Sequence, residues 1–198
     1  YYLLASKDGI TIGKRYFKHE NNKEDYPFSP SGHNLYDNNS KLYYCRDFDN
    51  IVYQIHEDSV VPRFRINLPN PLPASMIEER PNEMSLLRSG YSLGITDIYE
   101  YGGLLFFRFV KDGYIWSCLY NVEESKQVYC AKRIKFLDSS LIDTIDGIYK
   151  DCFYSILTPE YLDYAFSENP LEDYPDLFKT YDVEGDNPVI AFYRAVVR

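Results

Sequence analysis

Asp97 and Asp146 stand in matching places, each just ahead of an Ile-Tyr pair, Ile98-Tyr99 and Ile148-Tyr149. Carboxylates paired in this way could hold a divalent cation such as Ca2+ through oxygen ligands, or divide acid and base work between them. The plainer use of an Asp before a strand is to cap a turn. Arg63 and Arg65 alternate with Phe64, so on one strand face two guanidinium groups could grip a carboxylate. Facing solvent is the plainer reading. Trp116 shares its parity with Tyr114 and Tyr120, and such a row could stack on sugar rings or pack between sheets. The histidines, His19, His33 and His56, lie on separate segments with no partner at metal or triad spacing. No Ser or Cys sits in a nucleophile elbow, and there is no P-loop or dinucleotide fingerprint.

These residues must be positioned by strands. From Asn34 to Leu68 four short runs of strand character are separated by turn residues: Asn34–Tyr36, Leu42–Phe48, Ile51–His56 and Val60–Leu68. Within them apolar and polar residues alternate. Ile51, Tyr53 and Ile55 fall on one side, and Val60, Pro62, Phe64, Ile66 and Leu68 on one face of the last run. Period-2 alternation bounded by Asn, Asp, Ser and Pro predicts an antiparallel meander. A second meander follows at Tyr91–Tyr101, Leu104–Val110, Tyr114–Val122 and Gln127–Leu137. Gly102-Gly103 and Asp112-Gly113 supply hairpin chemistry there. A third unit combines Thr144–Tyr149, Cys152–Leu157 and a closing strand at Val189–Val197.

The remaining segments connect these sheets. Tyr1–Ala5 and Ile10–His19 flank Lys7-Asp8-Gly9 and predict a hairpin. Between the meanders, Ser75 is expected to cap a helical turn at Met76–Arg80, and a second turn covers Glu83–Arg88 up to Gly90. Thr158 is expected to cap a helix from Pro159 to about Ser167, with Tyr161, Leu162, Ala165 and Phe166 as its apolar stripe. Another short helix is expected over Pro175–Tyr181. These insertions, Met76–Arg88 and Pro159–Tyr181, could also serve as a partner interface.

The chain has 198 residues, 45% of them hydrophobic, enough to bury a sizeable core. Its net charge of −9 argues against nucleic acid and anionic membranes as partners. No segment reaches the about 18 apolar residues that span a bilayer. None of the four cysteines, Cys45, Cys118, Cys130 and Cys152, has CxxC spacing. Cys118 and Cys130 lie symmetrically about Glu124 in a hairpin, so a cross-strand disulfide would suit an exported protein. Four free, half-buried thiols are the favoured expectation.

The repeated units divide the chain into 1–19, 33–68, 91–137 and 141–198. Each of the last three opens on a comparable pair, Leu35-Tyr36, Ile98-Tyr99 and Ile148-Tyr149, followed by an aromatic-rich strand. The fold class expected is all-β: four-stranded antiparallel meanders of the size of β-propeller blades, with short helical insertions.

The motif Asn50–Ile55, then Val61–Leu68, resembles a blade of the exported six-bladed β-propeller proteins of gut anaerobes, of TolB-like or NHL-like type. Ile145-Asp146-Gly147 and Asp186–Ile190 resemble later stretches of that family, in the same order. Thr144 and Asn67-Leu68 depart from its pattern. The resemblance implies about half of a six-bladed propeller, its C-terminal half, from a secreted or lipid-anchored protein of the periplasm or outer cell surface. That fold closes its ring with an N-terminal strand in the last blade, so either an upstream half or self-association is expected. The function expected is non-enzymatic binding or scaffolding of a glycan, peptide or envelope protein, with no cofactor. A divalent-metal-dependent hydrolase or lyase acting in the central channel is the alternative, and Ca2+ would be its ion.

Overall fold

The computed structural model describes residues 3–6, 13–17, 30, 33–79, 81–132, 145–168, 181–182, 184–185 and 187–194. Four antiparallel sheets carry these residues. β1 (Leu3–Ala5) pairs with β2 (Lys14–Tyr16). The first large sheet runs β3 (Leu35–Asn38), β4 (Lys41–Cys45), β5 (Ile51–Ile55) and β6 (Val60–Arg65) in sequence order. The second runs β7 (Ser92–Tyr101), β8 (Leu104–Lys111), β9 (Tyr114–Asn121) and β10 (Lys126–Ala131). The third has three strands, β11 (Gly147–Tyr149), β12 (Cys152–Leu157) and β13 (Val189–Tyr193).

The second sheet is the middle layer. Every residue from Ser92 to Tyr99 is buried, as are Leu104 to Phe107. A strand covered on both faces reads as a nearly continuous apolar run instead of an alternating one. Leu104-Leu105-Phe106-Phe107 is that pattern, with the first sheet against one side and the third against the other. One hydrophobic cluster runs through all three layers, from Tyr36, Tyr43 and Val52 through Ile98 and Phe106 to Phe153 and Leu157. The opening strands of the three sheets, β3, β7 and β11, lie next to one another.

The turn at Asn39-Ser40 begins later than the sequence suggests. Asp37 and Asn38 belong to β3, and only Asn39 and Ser40 take positive φ, 47° and 73°. Two successive left-handed residues make the hairpin turn whose twist matches the strands. β6 ends at Arg65, and the register slips between Phe64 and Pro62, leaving Arg63 as an extra residue. This bulge breaks the simple alternation predicted from Val60 to Leu68, because an inserted residue reverses which side follows.

The helices α1 (Ala74–Glu78), α2 (Glu83–Leu87) and α3 (Pro159–Glu168) sit close to their expected places. α1 begins two residues earlier than predicted, with Pro73 rather than Ser75 at its N-cap and no side-chain cap. Asn82 caps α2 by accepting from the Ser85 amide at 2.9 Å. Leu86 then packs with Leu93 and Val110 at the end of the second sheet. Thr158 Oγ1 accepts from the Tyr161 amide at 3.3 Å, and Leu162 and Ala165 of α3 are buried. Residues 175–180 of the helix expected at Pro175–Tyr181, the Lys7-Asp8-Gly9 turn, Thr144, residues 133–137 of the strand expected at Gln127–Leu137 and the end of the closing strand lie outside the described residues, and Tyr181 itself is not helical.

The expectation of four free thiols needs correction. Cys118 and Cys130 face each other across β9 and β10 and form a disulfide, with Cα atoms 4.0 Å apart. Cys45 and Cys152 are free, and Cys45 is buried, which pushes its thiol pKa up.

Candidate functional site

A cleft of about 280 Å³ opens where β3, β7 and β11 meet. His33, Asp37, Asn39, Tyr99, Asp146 and Tyr154 supply its polar wall, with Leu35, Tyr36, Gly147 and Ile148 between them. Buried phenols fix its frame. The Tyr36 hydroxyl donates to the His33 carbonyl at 2.7 Å and also contacts the Thr96 carbonyl. The Tyr99 hydroxyl donates to the Asp146 carbonyl at 2.9 Å, tying β7 to the third sheet. Burial pushes the Tyr99 pKa up, and the charges of Asp97 and Asp146 push it further. Across the mouth, Asn39 Nδ2 donates to the Lys150 carbonyl at 2.8 Å, so the β3–β4 turn touches the β11–β12 turn.

Gly147 explains how Tyr154 reaches the cleft. A Cβ at this position would meet the Tyr154 ring at 2.6 Å. Glycine lets the ring come this close to the β11 backbone, which a side chain would prevent.

Of Asp97, Asp146, Arg63, Arg65 and Trp116, Asp146 alone lines this cleft. Its Oδ2 accepts from the Ile156 amide at 2.7 Å. Asp97 is buried and accepts from Arg108 Nε at 2.7 Å, an ion pair across β7 and β8. Both carboxylates therefore carry internal structural partners. Among the described residues no group of three His, Cys, Asp or Glu is placed to hold a metal ion. Arg63 grips a carboxylate, but one belonging to this chain: its guanidinium lies 3.2 Å from Glu100 and over the Phe64 ring. Arg65 is exposed opposite Ile51. Trp116 stacks on Phe109 at 6.2 Å between centroids, and Lys132 lies over both Trp116 and Tyr114.

Sequence reasoning missed the joint that aligns β3 with β7. Asn38 is buried, donates from Nδ2 to the Ile98 carbonyl at 3.3 Å and accepts at Oδ1 from the Glu100 amide at 2.6 Å. One side-chain amide thus satisfies two backbone groups that no strand pairs. Glu100 then gathers Lys41 at 3.1 Å, Arg63 at 3.2 Å and the Tyr43 hydroxyl. Asn38 was hidden by its turn-like neighbours, and Glu100 by its place between Tyr99 and Tyr101 in a strand whose other acid, Asp97, drew the attention.

Burial is the largest influence on the Glu100 carboxyl and opposes its ionisation. The hydrogen bonds from Tyr43 and Lys41, with the charges of Lys41 and Arg63, outweigh it and hold the pKa below the ordinary 4.5. A carboxylate with a depressed folded pKa stabilises the fold above its unfolded pKa, and that stabilisation is lost as pH falls through the folded value. Glu100→Gln is therefore expected to flatten the acid limb of a stability-versus-pH curve below 4.5. Denaturant melts from neutral pH down to the acid transition measure this, and an acid limb as steep as wild type would contradict it.

The fold and cleft define a class: an all-β protein of stacked antiparallel sheets with a polar cleft at the junction of their opening strands. No protein-family model and no curated protein matches the sequence. A crystal structure of a protein from Bacteroides fragilis NCTC 9343, named there as exported by inference, is similar in fold. It aligns with a TM-score of 0.62 at 17% identity over 83% of this chain. This chain spans 50% of that protein's length. Among the described residues no helix is long and apolar enough to cross a membrane.

Proposed function

We propose that this chain is a non-enzymatic binding module, built as about half of a six-bladed β-propeller, that takes a glycan in the cleft between β3, β7 and β11. The observation that carries the reading is the convergence of three opening strands on one polar cleft. In a propeller the first strand of each blade lines the centre of the ring. Glycan recognition needs acceptors for hydroxyls and an aromatic surface for the sugar face. Asp37 and Asp146 offer the first, and Tyr154 and His33 the second. The internal partners of Asp97 and Asp146 favour binding over metal-dependent hydrolysis or lysis in the same place. Export to the cell envelope, with a lipid anchor, belongs to the same proposal. Its support is the motif resemblance and the name of the structurally similar protein.

Glycan-array binding followed by calorimetry tests the site. Tyr154→Ala and Asp37→Ala are each expected to weaken the best ligand by about tenfold or more, about 1.4 kcal/mol. Unchanged affinity in both variants would remove the cleft from consideration. Ca2+-dependent turnover that disappears in Asp146→Asn would favour the hydrolase or lyase instead.

A further inference from the structure

The cleft between β3, β7 and β11 uses its donors internally and presents acceptors. The Tyr36 hydroxyl donates to the His33 carbonyl at 2.7 Å, the Tyr99 hydroxyl to the Asp146 carbonyl at 2.9 Å, and Asn39 Nδ2 to the Lys150 carbonyl at 2.8 Å. Each of these bonds closes within the protein. The carboxylates of Asp37 and Asp146 also belong to the wall, and an ionised carboxylate can only accept. Asp146 Oδ2 receives the Ile156 amide. Asp37 is exposed, and among the described residues no hydrogen bond or ion pair reaches its carboxylate. No lysine or arginine stands among the described residues of the wall. Lys41 and Arg63 hold Glu100, and Arg108 holds Asp97. The Lys150 ammonium lies 5.2 Å from the centre of the Tyr149 ring.

We infer that the glycan bears a free amine on the sugar that enters this cleft, held as an ammonium at the carboxylate wall of Asp37 and Asp146 with the Tyr154 ring beside it. The inference rests on the glycan reading above and narrows it. An ammonium brings three N–H donors and no acceptor, the complement of a wall whose donors are engaged. Its hydrogen bonds to carboxylates are charge-assisted, and a ring face attracts a cation. An N-acetylated sugar gives up the charge and adds a carbonyl acceptor. A uronic acid would set its own carboxylate against the two in the wall, and like charges brought together disfavour binding.

Calorimetry of the 198-residue chain with a glucosamine oligomer, its fully N-acetylated counterpart and a uronic acid oligomer of equal length tests this. The amine form is expected to bind about tenfold or more tighter than the N-acetylated form, and the uronic form weakest of the three. Asp37→Asn is expected to weaken the amine ligand by about fivefold, the scale of an exposed charge pair, and to leave the N-acetylated one unchanged. Glu124→Gln removes the same charge from the exposed turn between β9 and β10 and should change neither. That control separates the cleft from general attraction of a cationic oligomer to a chain of net charge −9. Equal or tighter binding of the N-acetylated or uronic oligomer overturns the amine and leaves a glycan site. An equal loss in Asp37→Asn and Glu124→Gln overturns the cleft as the place of the amine. A free diamine that binds as tightly as the glucosamine oligomer, or an array on which no glycan binds, removes the glycan reading and this inference with it.

Discussion

Phe153→Ala is expected to lower unfolding stability by about 3–5 kcal/mol, the range for deleting a fully buried phenyl group. Phe153 is 1% exposed and meets the Tyr101 ring edge-on at 6.3 Å. It also opposes Ile148 on β11 and Tyr193 on β13, so it fastens the three-stranded sheet to the middle layer. The third sheet has three strands against four in the middle sheet, and among the described residues its outer face is exposed, so little else can compensate. Its neighbour Tyr154 points the opposite way, into the cleft, and the same substitution should loosen the cleft wall. Urea melts at neutral pH measure the effect. A loss below about 1 kcal/mol would mean that the third sheet does not pack through this residue.

Gly94→Ala is expected to cost about 3 kcal/mol, by two mechanisms that act together. Gly94 has φ of +95°, where a side chain is strained. A Cβ would also lie 2.8 Å from Phe48 Cα and 2.9 Å from the Asp49 amide nitrogen. Those atoms are backbone, so relief requires the connection between β4 and β5 to move away from β7. The next residue, Ile95, donates its amide to the Asp49 carbonyl at 3.1 Å, and that bond joins the first sheet to the second. Loss of the bond would separate the layers at the end remote from Glu100. Thermal melting of the variant checks this, and a midpoint equal to wild type would contradict the close approach of the two sheets.

The sheets were legible in the sequence because their signal is local. Period-2 alternation and the paired turn residues Gly102-Gly103 and Asp112-Gly113 depend only on neighbours along the chain. The bulge at Arg63 was not legible, since nothing in Val-Val-Pro-Arg-Phe-Arg says where a partner strand will slip. The Cys118–Cys130 bond was within reach, because the symmetric hairpin placed the two residues opposite each other. Spacing alone did not choose between a bond and two thiols.

The cleft was the least legible part. Asp146 was found through its place before the first strand of its unit. Asp37 and Asn39 looked like turn residues, and Tyr154 was one tyrosine among 21. Which of them face one another depends on how three sheets stack, a property of contacts far apart in sequence. Arg63 illustrates the same limit. The carboxylate beside its guanidinium is Glu100 of the neighbouring sheet, a partner that no local pattern around Arg63 indicates.

A thermal-shift titration with the array's best glycan, with Ca2+ and with EDTA distinguishes glycan binding in the cleft from metal binding there, because a ligand that binds only the folded state must raise the melting temperature. A glycan-dependent rise is expected that EDTA leaves unchanged and that Tyr154→Ala abolishes. A rise that appears with Ca2+, disappears with EDTA and is lost in Asp146→Asn would contradict it and make the cleft a metal site.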